Sequence, residues 1–187
     1  PAKNSILVVV ESLYSMEGSI APLREITDIC KKNSVQLLVD EAHAIGILGP
    51  EGRGLSFNYR SDITMITGTF GKAFGSGGAF VTSNSEISEY LIQTSGAFRY
   101  TTALAPSLAA GALEGLKKII ENKEWGNDLL SSTKFWKDKI TQNFSFPVQG
   151  DAHILSIIVG QEEKAIYLQK YLEKNGFLAI AIRPPTV

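Results

Sequence analysis

The sequence predicts an α/β fold, in which a mostly parallel sheet carries helices on both faces and a smaller α/β module follows. The first part of the chain contains four short apolar runs rich in β-branched residues, which are typical of strands buried on both faces. Beyond residue 84 the apolar residues take the spacing of amphipathic helices. A strand-like run then resumes at His153, which indicates a second module.

The four predicted strands of the sheet are residues 5–10, 37–39, 63–66 and 79–81. A helix is predicted between the first two, from Pro22, which suits a helix start, to Asn33, which suits a stop. Ile26, Ile29 and Cys30 follow helical spacing in this segment, so we expect all three on the buried stripe. The strands and the helix form a βαβ unit.

Three further helices and a smaller module are predicted after the sheet. The helices are residues 85–94, 105–121 and 125–143, and the module comprises an apolar run at 153–159, a helix at 162–175 ended by Gly176, and a strand at 177–182. We place the boundary inside the helix at 105–121, with residues 1–110 in a large domain and residues 111–187 in the linking helix and a small domain.

Composition restricts the class of partner. The 187 residues include 18 basic and 19 acidic side chains, a net charge of −1, which gives no support for nucleic-acid binding. No apolar stretch approaches the roughly 20 residues that span a bilayer. Cys30 is the only cysteine and cannot form an internal disulfide, which is compatible with a reducing, cytoplasmic location. We therefore expect a small-molecule substrate, with no nucleic acid and no membrane.

The segment Asp40-Glu41-Ala42-His43 follows a predicted strand and resembles the magnesium motif of nucleic-acid helicases. That interpretation requires a phosphate loop of the form G-x-x-x-x-G-K-[ST]. The only candidate, residues 67–73, has Ile66 in place of the first glycine and Ala73 in place of the hydroxyl residue. A helicase or ATPase is therefore not predicted, and we expect no metal site.

The glycines Gly75, Gly77 and Gly78 suggest a dinucleotide-binding loop. The G-x-G-x-x-G pattern would need glycine at Phe80 and should open a helix, whereas a strand is predicted to follow. A tight turn with positive φ is the simpler interpretation.

Three side chains nearby suggest a pyridoxal phosphate site. Asp40 and Lys72 each follow a predicted strand, at the end where open α/β sheets place ligands. With His43, they would supply an amine for a Schiff base, an acid for the ring nitrogen and a donor for the phenolic oxygen.

Four segments of the chain resemble the α-oxoamine synthases, a family of fold-type-I pyridoxal-phosphate-dependent transferases: ESLYSMEG (11–18), VDEAHAIG (39–46), GPEGRG (49–54) and TGTFGKAFGSGG (67–78). The resemblance implies an α/β fold-type-I domain, with part of a smaller C-terminal α/β domain, and acyl transfer to an amino acid with decarboxylation.

Two further strings, YTTALAP (100–106) and AIRPPTV (181–187), are most similar to the members that condense L-alanine with pimeloyl-CoA or a pimeloyl-carrier protein in biotin biosynthesis. Sister enzymes using glycine or serine are the alternative, as is a catalytically silent subunit. Silent subunits typically lack the lysine, whereas Lys72 is present here.

The resemblance gives the cofactor-binding residues their roles. It makes Lys72 the Schiff-base lysine, whose freed amine removes the Cα proton, and Asp40 the partner of the pyridine nitrogen. His43 and Ser15 would hydrogen-bond the phenolic oxygen. Thr69 would bind the phosphate.

The same resemblance places Ala42 flat under the ring and has Thr102, or its neighbour Thr101, reach the cofactor phosphate of a second subunit. It therefore implies a homodimer with its cofactor sites at the interface. Arg183 is a candidate for the distal carboxylate of the acyl donor, because a guanidinium binds a carboxylate in a bidentate manner.

The chain departs from the family in two places and is expected to be a fragment. Ser12 stands where glycine is common and Glu17 where aspartate is usual. In the family, the aromatic or His side chain that stacks on the cofactor would precede Pro1. The arginine that clamps the amino acid carboxylate would follow Val187.

Overall fold

The structure is a computed structural model that describes residues 6–187 of the chain. These residues form two compact units. The first comprises residues 6–13 together with Ile20–Leu129, and the second comprises Tyr14–Ser19 together with Leu130–Val187.

A four-stranded sheet is the centre of the first unit. Its strands are β1 (Leu7–Glu11), β2 (Gln36–Asp40), β3 (Met65–Thr69) and β4 (Ala79–Ser83), in the order β1-β2-β3-β4. All four predicted strands are therefore present, although residue 5 of the first prediction lies outside the described residues.

The strand directions are mostly as predicted. β1 pairs with β2 and β2 with β3 in parallel, whereas β4 runs antiparallel to β3. Only residues 70–78 connect β3 to β4. A parallel crossover needs a dozen or more residues. Because this connection is shorter, the chain returns in the opposite direction.

Burial of the strands differs from the prediction. On the central strand β2, Leu37 and Val39 are fully buried. On the edge strands β1 and β4, Val9 is 61% and Val81 is 51% exposed. The prediction that these strands are buried on both faces was therefore wrong for the two edges, because the described residues do not cover those side chains.

Helix α1 (Leu23–Lys32) lies in the chain between β1 and β2, as predicted, with Pro22 before it and Asn33 after it. Cys30 is 3% exposed, which confirms its place in the core. Ile29 is 62% exposed, so its predicted burial was wrong. Thr27 faces the core instead, because it lies one turn before Cys30 on the buried side.

The helices predicted at residues 85–94, 105–121 and 125–143 are present, together with three shorter helices that were not predicted. Two short 3-10 helices come between β2 and β3, and four α-helices follow β4. They are Pro50–Gly52, Leu55–Tyr59, α2 (Ser85–Thr94), α3 (Gly96–Arg99), α4 (Pro106–Glu121) and α5 (Trp125–Asn143), of which α5 continues into the second unit.

The second unit contains a small antiparallel ladder and a helix. Strand β5 (Val148–Gln149) pairs with β6 (Ser156–Ile157), and α6 (Glu162–Lys174) follows. The predicted strand at 177–182 was wrong: the described residues form no ladder with this segment. Its Ala181 N–H donates to the Gln169 side chain at 2.7 Å instead.

Helix α4, in which the domain boundary was predicted, lies in the first compact unit. The assignment of residues 1–110 and 111–187 to a large and a small domain stays a prediction. Within residues 6–187, no helix combines the length and apolar character that crossing a membrane requires.

Candidate active site

Three polar side chains form a row across the sheet, toward the carboxyl ends of its parallel strands. Asp40, the last residue of β2, is in register with Glu11 on β1 and with Thr67 on β3. Residues in register on neighbouring strands project to the same face of a sheet. All three are half-buried, so a ligand can reach the row from this edge of the sheet.

The Asp40 carboxylate is held by the turn that follows it. Its Oδ1 accepts a hydrogen bond from the Ala42 N–H at 2.7 Å. Its main-chain carbonyl accepts one from the Ser12 N–H at 2.8 Å. The hydrogen bond at Oδ1 orients the carboxylate, and Oδ2 can face a ligand.

Glu41 is a buried residue to which the sequence analysis gave no role. It is 1% exposed, and its carboxylate accepts hydrogen bonds from Ser12 Oγ at 2.8 Å, Leu55 N at 3.2 Å and Ser56 N at 2.5 Å. These donors lie 29, 14 and 15 residues away in the chain. The sequence carries no local signal of such contacts.

His43 lies two residues beyond Glu41 and is half-buried. Its pKa is lowered from the ordinary value of 6.5, first by burial and then by the positive charge of Lys72. The carboxylates of Glu11 and Asp40 act in the opposite direction and weaken this effect. The imidazole is therefore neutral at pH 7, so one ring nitrogen is a donor and the other an acceptor.

Lys72 is exposed on the loop that joins β3 to β4. The ends of this loop are tied together: Phe70 N–H donates to Gly78 O at 2.9 Å, and Ser76 N–H donates to Phe70 O at 2.8 Å. Thr69 Oγ1 donates to Gly78 O at 3.1 Å. To bind a phosphate, the Thr69 hydroxyl would have to exchange this carbonyl for a phosphate oxygen.

Glycines shape the loop and its contact with α4. Gly75 and Gly78 have φ of +62° and +96°, as the tight-turn interpretation requires, whereas Gly77 does not have positive φ. A Cβ at Gly115, on α4, would overlap the main-chain carbonyl of Phe74. The glycine at 115 therefore lets α4 lie directly against the loop that carries Lys72.

The remaining predicted residues lie elsewhere. Ser15 is half-buried in a turn of the second unit. Thr102 is exposed in the segment before α4. Arg183 is exposed in the second unit, where its guanidinium lies 3.6 Å from Glu162 and lines a cleft of about 660 Å³. The roles given to these three residues stay predictions.

Asp40, His43 and Lys72 thus form one electrostatic group within the first unit. It contains a carboxylate, a neutral imidazole and an amine, which can respectively balance a cationic ring nitrogen, donate to a phenolic oxygen and bond to an aldehyde carbon. In the described part of the chain, no group of three or more His, Cys, Asp or Glu side chains could hold a metal ion.

Comparison with known proteins identifies related chains. The family model for aminotransferase class I and II matches residues 1–187. The chain is 37% identical over 189 residues to 8-amino-7-oxononanoate synthase of Nitrosospira multiformis, covering 100% of this chain and 48% of that protein. It is 35% identical over 186 residues to the Hahella chejuensis enzyme of the same name, covering 97% and 46%.

Solved structures give the same fold. The chain matches Sphingomonas wittichii serine palmitoyltransferase with a TM-score of 0.91 and 30% identity, covering 100% of this chain and 48% of that one. It matches 8-amino-7-oxononanoate synthase of Francisella tularensis with a TM-score of 0.81 and 29% identity, covering 99% and 56%. The chain thus spans about half the length of these relatives.

Proposed function

Since this chain belongs to the aminotransferase class I and II family, we propose that it is the cofactor-binding part of a pyridoxal-phosphate-dependent α-oxoamine synthase. The proposed reaction condenses L-alanine with pimeloyl-CoA or pimeloyl-carrier protein. Its products are 8-amino-7-oxononanoate, CO2 and a free thiol, in biotin biosynthesis. The observation that carries the proposal is the grouping of Asp40 and His43 with the charge of Lys72.

The side chains present fit pyridoxal phosphate by their donor and acceptor chemistry. Asp40 Oδ1 is used by Ala42 N–H, so Oδ2 can face a protonated ring nitrogen. A neutral His43 can donate an N–H to an anionic phenolic oxygen, and its lowered pKa favours this state. Thr69 lies at the base of the Lys72 loop, where its Oγ1 accepts the Gly71 N–H at 3.1 Å, and its hydroxyl would bind the phosphate.

Bound pyridoxal phosphate supplies an electron sink for the pair released when a bond to the substrate Cα breaks. Lys72 binds the cofactor and, once the amino acid takes its place, moves a proton to and from Cα. Asp40 keeps the ring nitrogen protonated. The loop that carries Lys72 is closed at its base by the hydrogen bond from Phe70 N–H to Gly78 O.

Arg183 and Ser15 complete the set of proposed site residues. A guanidinium can pair with the distal carboxylate of a pimeloyl chain, in exchange for its present partner Glu162. Ser15 supplies a second donor for the phenolic oxygen. Thr102 reaches a second copy of the chain, so the working assembly is a homodimer with the cofactor sites at its interface.

A serine-using synthase is the second candidate, because serine palmitoyltransferase structures match the chain with TM-scores up to 0.92. The curated relatives are named for 8-amino-7-oxononanoate, the product of the proposed reaction, which supports the L-alanine reaction instead. A catalytically silent subunit is disfavoured, since Lys72, Asp40 and His43 are all present.

The choice of amino acid can be tested by thiol release. The full-length enzyme that contains this chain, with pyridoxal phosphate and pimeloyl-CoA, is given L-alanine, glycine or L-serine in turn, with Lys72→Ala as the control. Release that is fastest with L-alanine and absent in Lys72→Ala supports the proposal. Faster release with L-serine or glycine would show that the enzyme is one of the sister synthases. Equal release by Lys72→Ala would contradict the role of Lys72 in the reaction.

A further inference from the structure

Glu41 is almost completely buried and has no part in the roles assigned above. A carboxylate removed from water costs free energy unless hydrogen bonds replace those that water made. Here all the hydrogen bonds come from neutral groups: the Ser12 hydroxyl and the main-chain N–H groups of Leu55 and Ser56. None of the ion pairs among residues 6–187 includes it. Its contacts are therefore directional hydrogen bonds.

The hydrogen bonds of Glu41 join separate parts of the first unit. Its side chain contacts the end of β1 through Ser12 and the N-terminus of the 3-10 helix at Leu55–Tyr59. Its main-chain N–H donates to Thr67 O on β3 at 2.8 Å. Rotation of the Glu41 side chain would break the bonds to Ser12 and to the 3-10 helix, and a shift of its main chain would break the bond to β3.

The residues on each side of Glu41 are the ones that face the proposed cofactor. Asp40 precedes it directly, and His43 follows two residues later. The Glu41 carbonyl accepts the N–H groups of Ala44 and Ile45, both at 2.9 Å, which closes the turn that contains His43. Fixing Glu41 thus fixes the direction of both neighbours.

We propose that Glu41 is a positioning residue that holds Asp40 and His43 toward the cofactor, with Ser12 as its hydroxyl partner. The inference rests on the proposed function, since Asp40 and His43 need this precision only if they hold a ligand. Ser12 stands where α-oxoamine synthases commonly have glycine, and its hydroxyl gives this chain a hydrogen bond that glycine cannot make.

Only a hydrogen-bond acceptor suits the side chain at position 41, because the three groups bonded to it are donors. A carboxylate accepts at both oxygens, whereas glutamine would turn an amide NH2 group toward an N–H or O–H donor. Gly54 lies close against the carboxylate, since a Cβ added there would lie 2.8 Å from Glu41 Cδ. Glu41→Gln is therefore close to isosteric but breaks at least one hydrogen bond.

The test measures hydrogen exchange of the Ala42 amide in the full chain without cofactor, because this N–H is bonded to the Asp40 side chain. In Glu41→Gln we expect exchange about tenfold faster relative to the amides of β2, as for the loss of one buried bond. Ser12→Ala should give a smaller acceleration of the same amide, and it carries the test if Glu41→Gln does not fold.

Leu23→Ala is the matched control, because Leu23 is 4% exposed on α1, its truncation lowers stability, and it forms none of the hydrogen bonds of the Glu41 carboxylate. Exchange is compared at equal intervals below each melting temperature. Specific acceleration at Ala42 in the Glu41 or Ser12 variant supports the proposal. Acceleration no greater than that in Leu23→Ala would overturn it.

A cofactor measurement separates this inference from the proposed function. The dissociation constant of pyridoxal phosphate should rise about tenfold in Glu41→Gln relative to Leu23→Ala. An unchanged constant in Glu41→Gln would overturn the positioning role toward the cofactor. If the wild-type chain binds no pyridoxal phosphate at all, the proposed function fails, and the Ala42 exchange still decides whether Glu41 orients Asp40.

Discussion

Glu11 and Asp40 are register partners at the ends of parallel strands β1 and β2, so their carboxylates project side by side from one edge of the sheet. Neighbouring strands lie about 4.8 Å apart, which brings the two acidic side chains close together. Both carboxylates favour the charged form of His43, and Lys72 opposes them. The pKa of His43 therefore depends on the charges of Glu11, Asp40 and Lys72 together.

The first prediction concerns the pKa of His43. It should lie below the ordinary value of about 6.5, because burial and Lys72 disfavour the imidazolium. Lys72→Met removes a positive charge and should raise the pKa, whereas Glu11→Gln removes a negative charge and should lower it further. A pH titration of the imidazole proton signals by NMR measures this, with His153, the only other histidine, as the internal reference. A pKa above 6.5 in the unaltered chain would contradict the burial described here.

The sign of the pH dependence follows from the lowered pKa of His43. As the pH falls, His43 takes up its proton at a higher pH in the unfolded chain than in the folded chain. The contribution of neutral His43 to folding stability is therefore complete above about pH 6.5 and is lost as the pH falls through the folded pKa. Because the side chain is only half-buried, solvent screens the effect. Acidification should thus lower the melting temperature of the wild type slightly more than that of His43→Gln.

Lys72→Ala should abolish covalent attachment of pyridoxal phosphate and leave the fold intact. The shape of the loop comes from the bonds of Phe70 and Ser76 and from the positive φ of Gly75, none of which involves the lysine side chain. Borohydride reduction followed by peptide mapping detects the attachment, and thermal denaturation detects the fold. Retention of the adduct at the wild-type level would place the reactive lysine elsewhere.

Asp40→Asn should reduce turnover by about 10² to 10³ while the cofactor still binds, since a preorganised charge is lost but the shape is kept. Asparagine Oδ1 can still accept the Ala42 N–H, so the turn should persist. Asp62→Asn is the control, because the Asp62 carboxylate forms an exposed ion pair with Lys31. Turnover of Asp40→Asn equal to that of the control would remove the ring-nitrogen role from Asp40.

Gly115→Ala should destabilise the first unit by about 1 to 3 kcal/mol, because the added methyl group overlaps the Phe74 carbonyl and pushes α4 from the Lys72 loop. Gly96→Ala is the matched control: its Cβ would make only ordinary contacts, at 3.6 Å and beyond. Chemical denaturation compares the two. Equal stability of the two variants would show that the loop and α4 adapt to the extra atom.

Arg183→Ala should reduce the preference for pimeloyl-CoA over an uncharged acyl-CoA of the same chain length by about tenfold, as for the loss of one charge-assisted pair. Glu162→Gln removes the competing partner of Arg183 and should increase that preference. The ratio of kcat/KM for the two thioesters measures the effect. If neither substitution alters the ratio, Arg183 is a surface residue of the second unit.

Local sequence pattern was sufficient for most of the elements in the first unit. The apolar runs located β1 to β4, and helical spacing with Pro22 and Asn33 located α1. The same pattern placed Asp40 and Lys72 after neighbouring strands, so their common edge followed from parallel pairing. These features depend on residues only a few positions apart, so they can be predicted from a single sequence.

Features that depend on distant contacts were not predictable in this way. Residues 177–182 have the composition of a strand, but a strand exists only where another chain segment accepts and donates its hydrogen bonds. Val9 and Val81 are apolar, yet the described neighbours leave them exposed. Composition measures the tendency to be buried, whereas burial itself requires a covering layer.

The sequence by itself determined the α/β class, the order of the elements and the identity of Asp40, His43 and Lys72 as a candidate site, because residue type and spacing carry that information. Only the tertiary structure decided that Ser12, Leu55 and Ser56 converge on Glu41 and that Glu11 stands beside Asp40. Those groups are brought together by strand register and loop closure, whose free energy depends on the packed chain as a whole rather than on any one segment.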